Sequence, residues 1–194
     1  MFNYPPHHFI IVALDPGTDT LGVSVMGLDL YDFNVTIYEA WTFHASHSIN
    51  PLGVTMQTHG SRRARLEALG KGLDALLRRV RPHAIISESP FLGRFAQSFE
   101  ALTQCVDMIR EVVMNYNIAM VLEMVDPPSA KKAIGAAIQG PDKKEAVRLA
   151  VLKYPFIRAP GVYLESLEEH ATDAIAVGMF KVNQIKEYYR ARTC

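Results

Sequence analysis

The chain reads as an α/β protein built on a mixed sheet of five strands, the first three antiparallel, with α-helices packed on its faces. Three observations carry this reading. Two β-rich apolar runs, residues 8–14 and 21–26, flank the chain-reversal signal Asp15-Pro16-Gly17, so the chain opens with a hairpin. Downstream, strand-like runs alternate with apolar residues at helical spacing. The 194 residues, 49% of them hydrophobic, suffice for one sizeable core and leave little room for a second, which predicts a single domain over residues 1–194.

A third strand is expected over residues 35–43, followed by a loop over 44–60 rich in His, Ser, Asn, Pro and Gly. Over 61–80 the residues Leu66, Leu69, Leu73, Leu76 and Leu77 recur at helical spacing with basic residues between them, predicting a surface helix with a basic outer face. Residues 84–87 form a short strand ending at Glu88, and Pro90 to Gly93 breaks the pattern before a helix over 95–116. That helix carries two apolar stripes. One runs through Phe95, Phe99, Leu102, Val106, Ile109, Val113 and Tyr116, the other through Ala101, Cys105, Met108 and Val112. Two apolar faces imply two packing partners, the sheet and either a second subunit or another part of the same chain. A fifth strand over 118–125, short helices over 127–137 and 141–152, and a closing helix over 167–189 complete the order. Ser166 and Glu169 match the S-x-x-E capping box for that last helix.

Twenty basic residues balance twenty acidic ones, so overall charge gives no support to a nucleic-acid partner. The basic residues are nonetheless clustered. Arg62, Arg63, Arg65, Lys71, Arg78, Arg79 and Arg81 fall in one predicted helix, and Lys131, Lys132, Lys143 and Lys144 form a second group. With two cysteines, one in an apolar helical stretch and one at the terminus, a disulfide framework is not expected and a reducing, cytosolic setting is. No apolar run approaches the roughly 18 residues of a membrane span, so no membrane partner is expected.

Polar groups at strand ends and helix starts are the ones that backbone geometry can aim into a cleft. Asp15 ends the first strand, Glu88 ends the fourth, and His170 with Asp173 lie three apart near the start of the last helix, on one helical face. Carboxylates converging from separate elements bind Mg²⁺ or Mn²⁺ through oxygen, and a pair of such ions can hold a phosphodiester for attack by water. Each residue also has a plainer reading. Asp15 can simply begin a turn, Glu88 can be a solvated carboxylate, and His170 and Asp173 can be surface residues of an amphipathic helix.

Taken together, these residues resemble a known family. ALDPGTDTLGVSV resembles the first motif of the RuvC-type Holliday-junction resolvases, IISESPF their second, and HATDAIAVG their C-terminal motif, in the same order and spacing, with the resemblance running from Ile11 to Val182. It implies the RNase H-like fold and a nuclease of DNA recombination and repair: a crossover junction endodeoxyribonuclease acting on branched DNA as a homodimer. It further implies a cytoplasmic setting in a bacterial or phage-infected cell. Asp15, Glu88 and Asp173 would be the metal-binding carboxylates for two Mg²⁺ ions, with Mn²⁺ as substitute, and His170 a fourth ligand or a proton-transfer partner. Lys132 and Lys143, eleven apart, match two lysines that contact DNA near the scissile phosphate. Phe91 matches an aromatic that pushes against bases at the junction centre. The two lysines could equally be solvated, and Phe91 could be core. Departures from the family are the neutral charge, a long 44–60 loop, and Ala136-Ala137-Ile138-Gln139 where a glycine-rich spacing is usual.

Two rival functions remain. D-P-G-T-x-x-x-G-V also resembles the phosphate-binding hairpin of actin- and hexokinase-type kinases, against which stand the short chain and the lack of a second such hairpin. A non-catalytic DNA-binding module of the same fold would be expected to lack an acidic position, and none is lost.

Overall fold

The computed structural model describes residues 4–91, 96–136, 143–155 and 157–193, with the side chains of Lys143, Lys144 and Thr193 left out. The strands are β1 (His8–Pro16), β2 (Thr20–Asp29), β3 (Val35–His44), β4 (Ala84–Glu88), β5 (Leu122–Val125) and β6 (Ile157–Arg158). The α-helices are α1 (Val54–Val80), α2 (Ala96–Tyr116), α3 (Pro127–Ala133), α4 (Lys143–Lys153) and α5 (Glu169–Thr193). The described strands form one six-stranded sheet in the order β5-β4-β1-β2-β3-β6. β1, β2 and β3 are antiparallel neighbours as expected, and β4, β5 and β6 join parallel to their partners.

The sheet separates two apolar layers. Ile10, Val12 and Leu14 of β1, with Leu21, Val23 and Val25 of β2, pack against α1 and α2. Ile11 and Ala13 of β1, with Met26 and Leu28 of β2, pack against α3, α4 and α5. This is the period-two alternation of a strand buried on both faces. α5 supplies the densest packing of the second layer, with Ala171, Ala174, Ile175, Val177, Met179 and Val182 all buried. On the other side Leu66, Leu69, Leu73, Leu76 and Leu77 of α1 are buried, the stripe read from the sequence.

Several expectations shift. The sheet has a sixth strand, two residues long, added at the β3 edge. α1 starts at Val54 rather than within residues 61–80, with a kink where Gly60 takes φ +79°, so part of the expected loop is helical. β5 is shorter than expected, because Ile118 and Val121 are exposed in the connection before it. The capping box does not form. Ser166 lies in a 3-10 turn with its hydroxyl donating to the Tyr163 carbonyl (2.9 Å), and Leu167 is still extended, so the helix begins too late for Ser166 to cap it. The expected helix starts at Phe95 and Pro141, and the end at Ala137, lie outside the described residues.

α2 has two covered faces within one chain. Ile109 and Val113 join the sheet layer, while Met108 and Val112 pack around Gly70 of α1. The second stripe therefore meets α1 and needs no second subunit. The basic face of α1 is also largely paired: Arg62 with Glu100 (3.4 Å), Arg65 with Asp19 (3.7 Å), Arg78 with Asp74 (2.8 Å), and Arg79 with Glu39 from β3. None of the described helices is long and apolar enough to cross a membrane.

Candidate active site

Strand alternation decides what reaches the site. Asp15 follows Ile11 and Ala13 by steps of two, so it faces the α5 layer. On β4, Ile86 faces that layer and Glu88 stands two residues on. The parallel register sets Leu14 beside Ser87, which brings Asp15 and Glu88 to the C-terminal ends of adjacent strands. Across the hairpin Asp15 pairs with Gly22, on the same face. A Cβ at Gly22 would overlap the backbone carbonyl of His170, so the missing side chain is what lets the start of α5 lie directly on the sheet. His170 and Asp173, one turn apart, then project over Asp15.

His170 Nδ1 lies 2.6 Å from Asp15 Oδ2, and Asp15 is only 7% exposed. That hydrogen bond holds the His170 pKa above its ordinary value against the opposing effect of burial. Glu88 is pushed up to about 8, first by burial and then by the charges of Asp15 and Asp173. Asp173 is pushed up to about 6 by burial and by Asp15. Lys131 pulls both back down. All four residues singled out for chemistry are thus brought together, and the solvated-carboxylate and surface-helix readings of Glu88 and Asp173 do not hold.

The basic and aromatic candidates separate. Phe91 is 63% exposed, in the loop directly after Glu88, and with Pro16, Ser89, Leu102 and Val106 lines a recess beside that carboxylate. It is not core. Asp126 caps α3, its side chain accepting from the Ser129 N–H at 2.9 Å, with Pro127 in the first turn. At roughly 100° per residue, this phase sets Ala130 and Ile134 inward, Lys131 at the border of their stripe, and Lys132 on the opposite side. Lys132 is exposed near Ser129, Phe180 and Asn183. Lys131, singled out for nothing beyond its cluster in the sequence, is among the described residues the lysine whose charge reaches the carboxylates. The Lys143 side chain lies outside the described residues.

The oxygen donors of Asp15, Glu88 and Asp173 fit a hard divalent cation in kind and in charge. Their spacing is wide. Among the described residues, the trio whose donor atoms all fall within 4.8 Å of one another is His7, His8 and Asp29, at the opposite end of β1. Asp15 raises the pKa of both Glu88 and Asp173, and Asp173 raises that of Glu88, so the negative charges lie close enough to be felt without converging on a single point.

No protein-family model and no curated protein sequence matches the chain. Solved structures do. Thermus thermophilus RuvC in complex with a Holliday junction substrate is similar over 89% of this chain and 92% of its own, with TM-score 0.60 and 16% identity. The yeast mitochondrial Holliday junction resolvase Ydc2 is similar over 96% of this chain and 83% of its own, with TM-score 0.63 and 14% identity. The fowlpox virus resolvase in complex with its substrate Holliday junction DNA is similar over 91% and 98%, with TM-score 0.55 and 11% identity. The chain therefore has the RNase H-like fold in the form shared by the RuvC-type resolvases.

Proposed function

We propose that the chain is a Holliday-junction resolvase, a metal-dependent endonuclease that hydrolyses phosphodiesters of branched DNA at the Asp15, Glu88 and Asp173 site. The observation that carries this reading is the gathering of buried Asp15 with half-buried Glu88 and Asp173 at the C-terminal ends of β1 and β4 and the start of α5, in a fold shared along nearly its whole length with resolvases. Mg²⁺ or Mn²⁺ held by Asp15, Glu88 and Asp173 would neutralise the phosphodiester and acidify an attacking water. His170, whose pKa the Asp15 hydrogen bond raises, is suited to giving a proton to the leaving oxygen, with Nδ1 already engaged. Lys131 offsets carboxylate charge next to the scissile phosphate, while exposed Lys132, with Lys143, takes DNA backbone further along. Phe91 offers an exposed ring for base stacking beside Glu88.

A four-way junction presents two symmetry-related strands, so paired cleavage calls for a homodimer with two such sites. Because the second stripe of α2 is taken by α1, the case for the dimer rests on the symmetry of the substrate.

The experiment is cleavage of a synthetic four-way junction beside a linear duplex of the same sequence, in Mg²⁺ and in EDTA. Paired nicks confined to the junction, leaving 5′-phosphate and 3′-hydroxyl ends and absent in EDTA, are expected. Junction binding without cutting in either Mg²⁺ or Mn²⁺ would instead assign a non-catalytic module.

A further inference from the structure

A second cluster of ligating side chains sits at the other end of β1. His8 opens β1 and Asp29 closes β2, and the antiparallel register pairs them directly. His7 is delivered beside them by the turn in which the His8 N–H donates to the Pro5 carbonyl at 2.9 Å. Asp29 Oδ2 lies 3.3 Å from His7 Nε2 and 3.7 Å from His8 Nε2. A tetrahedral ion with donors about 2.0–2.1 Å away separates those donors by roughly 3.4 Å, so these spacings already approach the edges of such a shell.

The groups behind the donors are arranged to match. His8 Nδ1 is 2.6 Å from the Tyr38 hydroxyl, which can accept its proton and leave the Nε2 lone pair directed toward Asp29. Asp29 Oδ1 accepts the Tyr31 N–H at 2.7 Å, leaving Oδ2 to face the two histidines. A side chain at Gly27 would press into both His8 Nδ1 and the Tyr38 ring at 2.7 Å, so the glycine is what lets the pair sit together. The His8 and Asp29 side chains are 10% and 18% exposed and that of His7 36%, a site walled on the protein side and open to a water as fourth donor.

We propose that His7, His8 and Asp29 form a binding site for one divalent transition-metal ion, zinc by donor set, which clips the segment before β1 onto the end of β2. The site is independent of the nuclease reading. Seven residues of extended strand, about 23 Å, separate His8 from Asp15, so the two centres share no ion. Its role is structural, since two imidazoles and a carboxylate at the start of a strand hold together ends that otherwise fray.

The test is titration of the EDTA-stripped, desalted full chain with Zn²⁺ by calorimetry and with Co²⁺ by visible absorption, alongside thermal unfolding. Wild type should bind one tight Zn²⁺ equivalent beyond any taken at the Asp15, Glu88 and Asp173 carboxylates, with the intense absorption of tetrahedral Co²⁺, and Zn²⁺ should raise the melting temperature. His7→Ala, at a position outside the sheet, should weaken Zn²⁺ at least tenfold and abolish the Co²⁺ band. Tyr38→Phe, which keeps all three ligands, should weaken Zn²⁺ about tenfold. Asp15→Asn should leave this Zn²⁺ site intact. Zn²⁺ binding unchanged in His7→Ala but lost in Asp15→Asn, or no binding in wild type, would overturn the proposal and leave a histidine–aspartate ion pair.

Discussion

The backbone of His170 rests against Gly22 so closely that a Cβ on Gly22 would overlap the His170 carbonyl group. Gly22 is also the register partner of Asp15, whose carboxylate binds the His170 ring. One missing side chain on β2 thus sets the position of both residues that α5 contributes. Gly22→Ala should destabilise the chain by about 1–3 kcal/mol through overpacking, and should cut junction cleavage more than it cuts junction binding. Denaturant midpoints and single-turnover cleavage check this. Unchanged cleavage in a folded Gly22→Ala chain would show that the approach of α5 to the sheet does not set the site.

Burial and mutual charge make the carboxylates a pH-dependent cost to folding. Glu88 at about 8 and Asp173 at about 6 both hold their protons more tightly folded than unfolded. Their contribution to stability is therefore complete below the usual carboxylate range near 4 and is lost as pH rises through about 6 and then about 8. In EDTA the melting temperature should fall between pH 5 and pH 9, to an extent ordered by these two groups. Glu88→Gln should flatten the upper part of that fall. Mg²⁺ should also reduce it, by supplying positive charge at the same oxygens. A midpoint that rises over this interval in EDTA would contradict the electrostatic description of the site.

Adjacent lysines on α3 should differ in kind. Lys131 faces Glu88 and Asp173, whereas Lys132 is on the outer side. Lys131→Ala should lower the cleavage rate constant on the order of a hundredfold with little change in junction affinity. Lys132→Ala should weaken binding and reduce the log–log salt slope by about 0.9, with the rate at saturation preserved. Rate constants at saturating chain and binding at several salt concentrations separate the two. Identical phenotypes would remove the distinction drawn from the phase of α3.

Cys105 is fully buried between α2 and its neighbours, and burial pushes its thiol up to about 12. In a Cys194→Ser chain, a thiol reagent at pH 8 should react with Cys105 only as fast as the protein opens, and fully on denaturation. Rapid labelling of the native chain would show that the α1–α2 layer is looser than described.

Much of this was legible in the sequence wherever a short-range pattern carries the information. The Asp15-Pro16-Gly17 reversal between two apolar runs specifies the hairpin, and alternation from Ile11 through Ala13 to Asp15 specifies which face the carboxylate takes. The leucine stripe of α1 is equally local. What was not legible depends on phase, register or very short elements. Ile157–Arg158 is too brief to show a period. Residues 54–59 are helical without an apolar stripe, ahead of the Gly60 kink. Choosing Lys131 over Lys132 needs the start of α3 to be known within one residue. Gly22 and His170, like His8 and Asp29, meet only through tertiary contact or strand register, which no spacing along the chain reveals.

The most direct test of the central claim is to compare junction binding with junction cleavage in Asp15→Asn, Glu88→Gln and Asp173→Asn, each nearly isosteric with the residue that it replaces. Each variant should bind a four-way junction at least as tightly as wild type, because a negative charge next to phosphate has been reduced, and each should cleave it more than a hundredfold more slowly in saturating Mg²⁺. Cleavage within a few-fold of wild type in any one of the three would contradict the assignment of that carboxylate. Retained cleavage in all three would place the chemistry elsewhere in the chain.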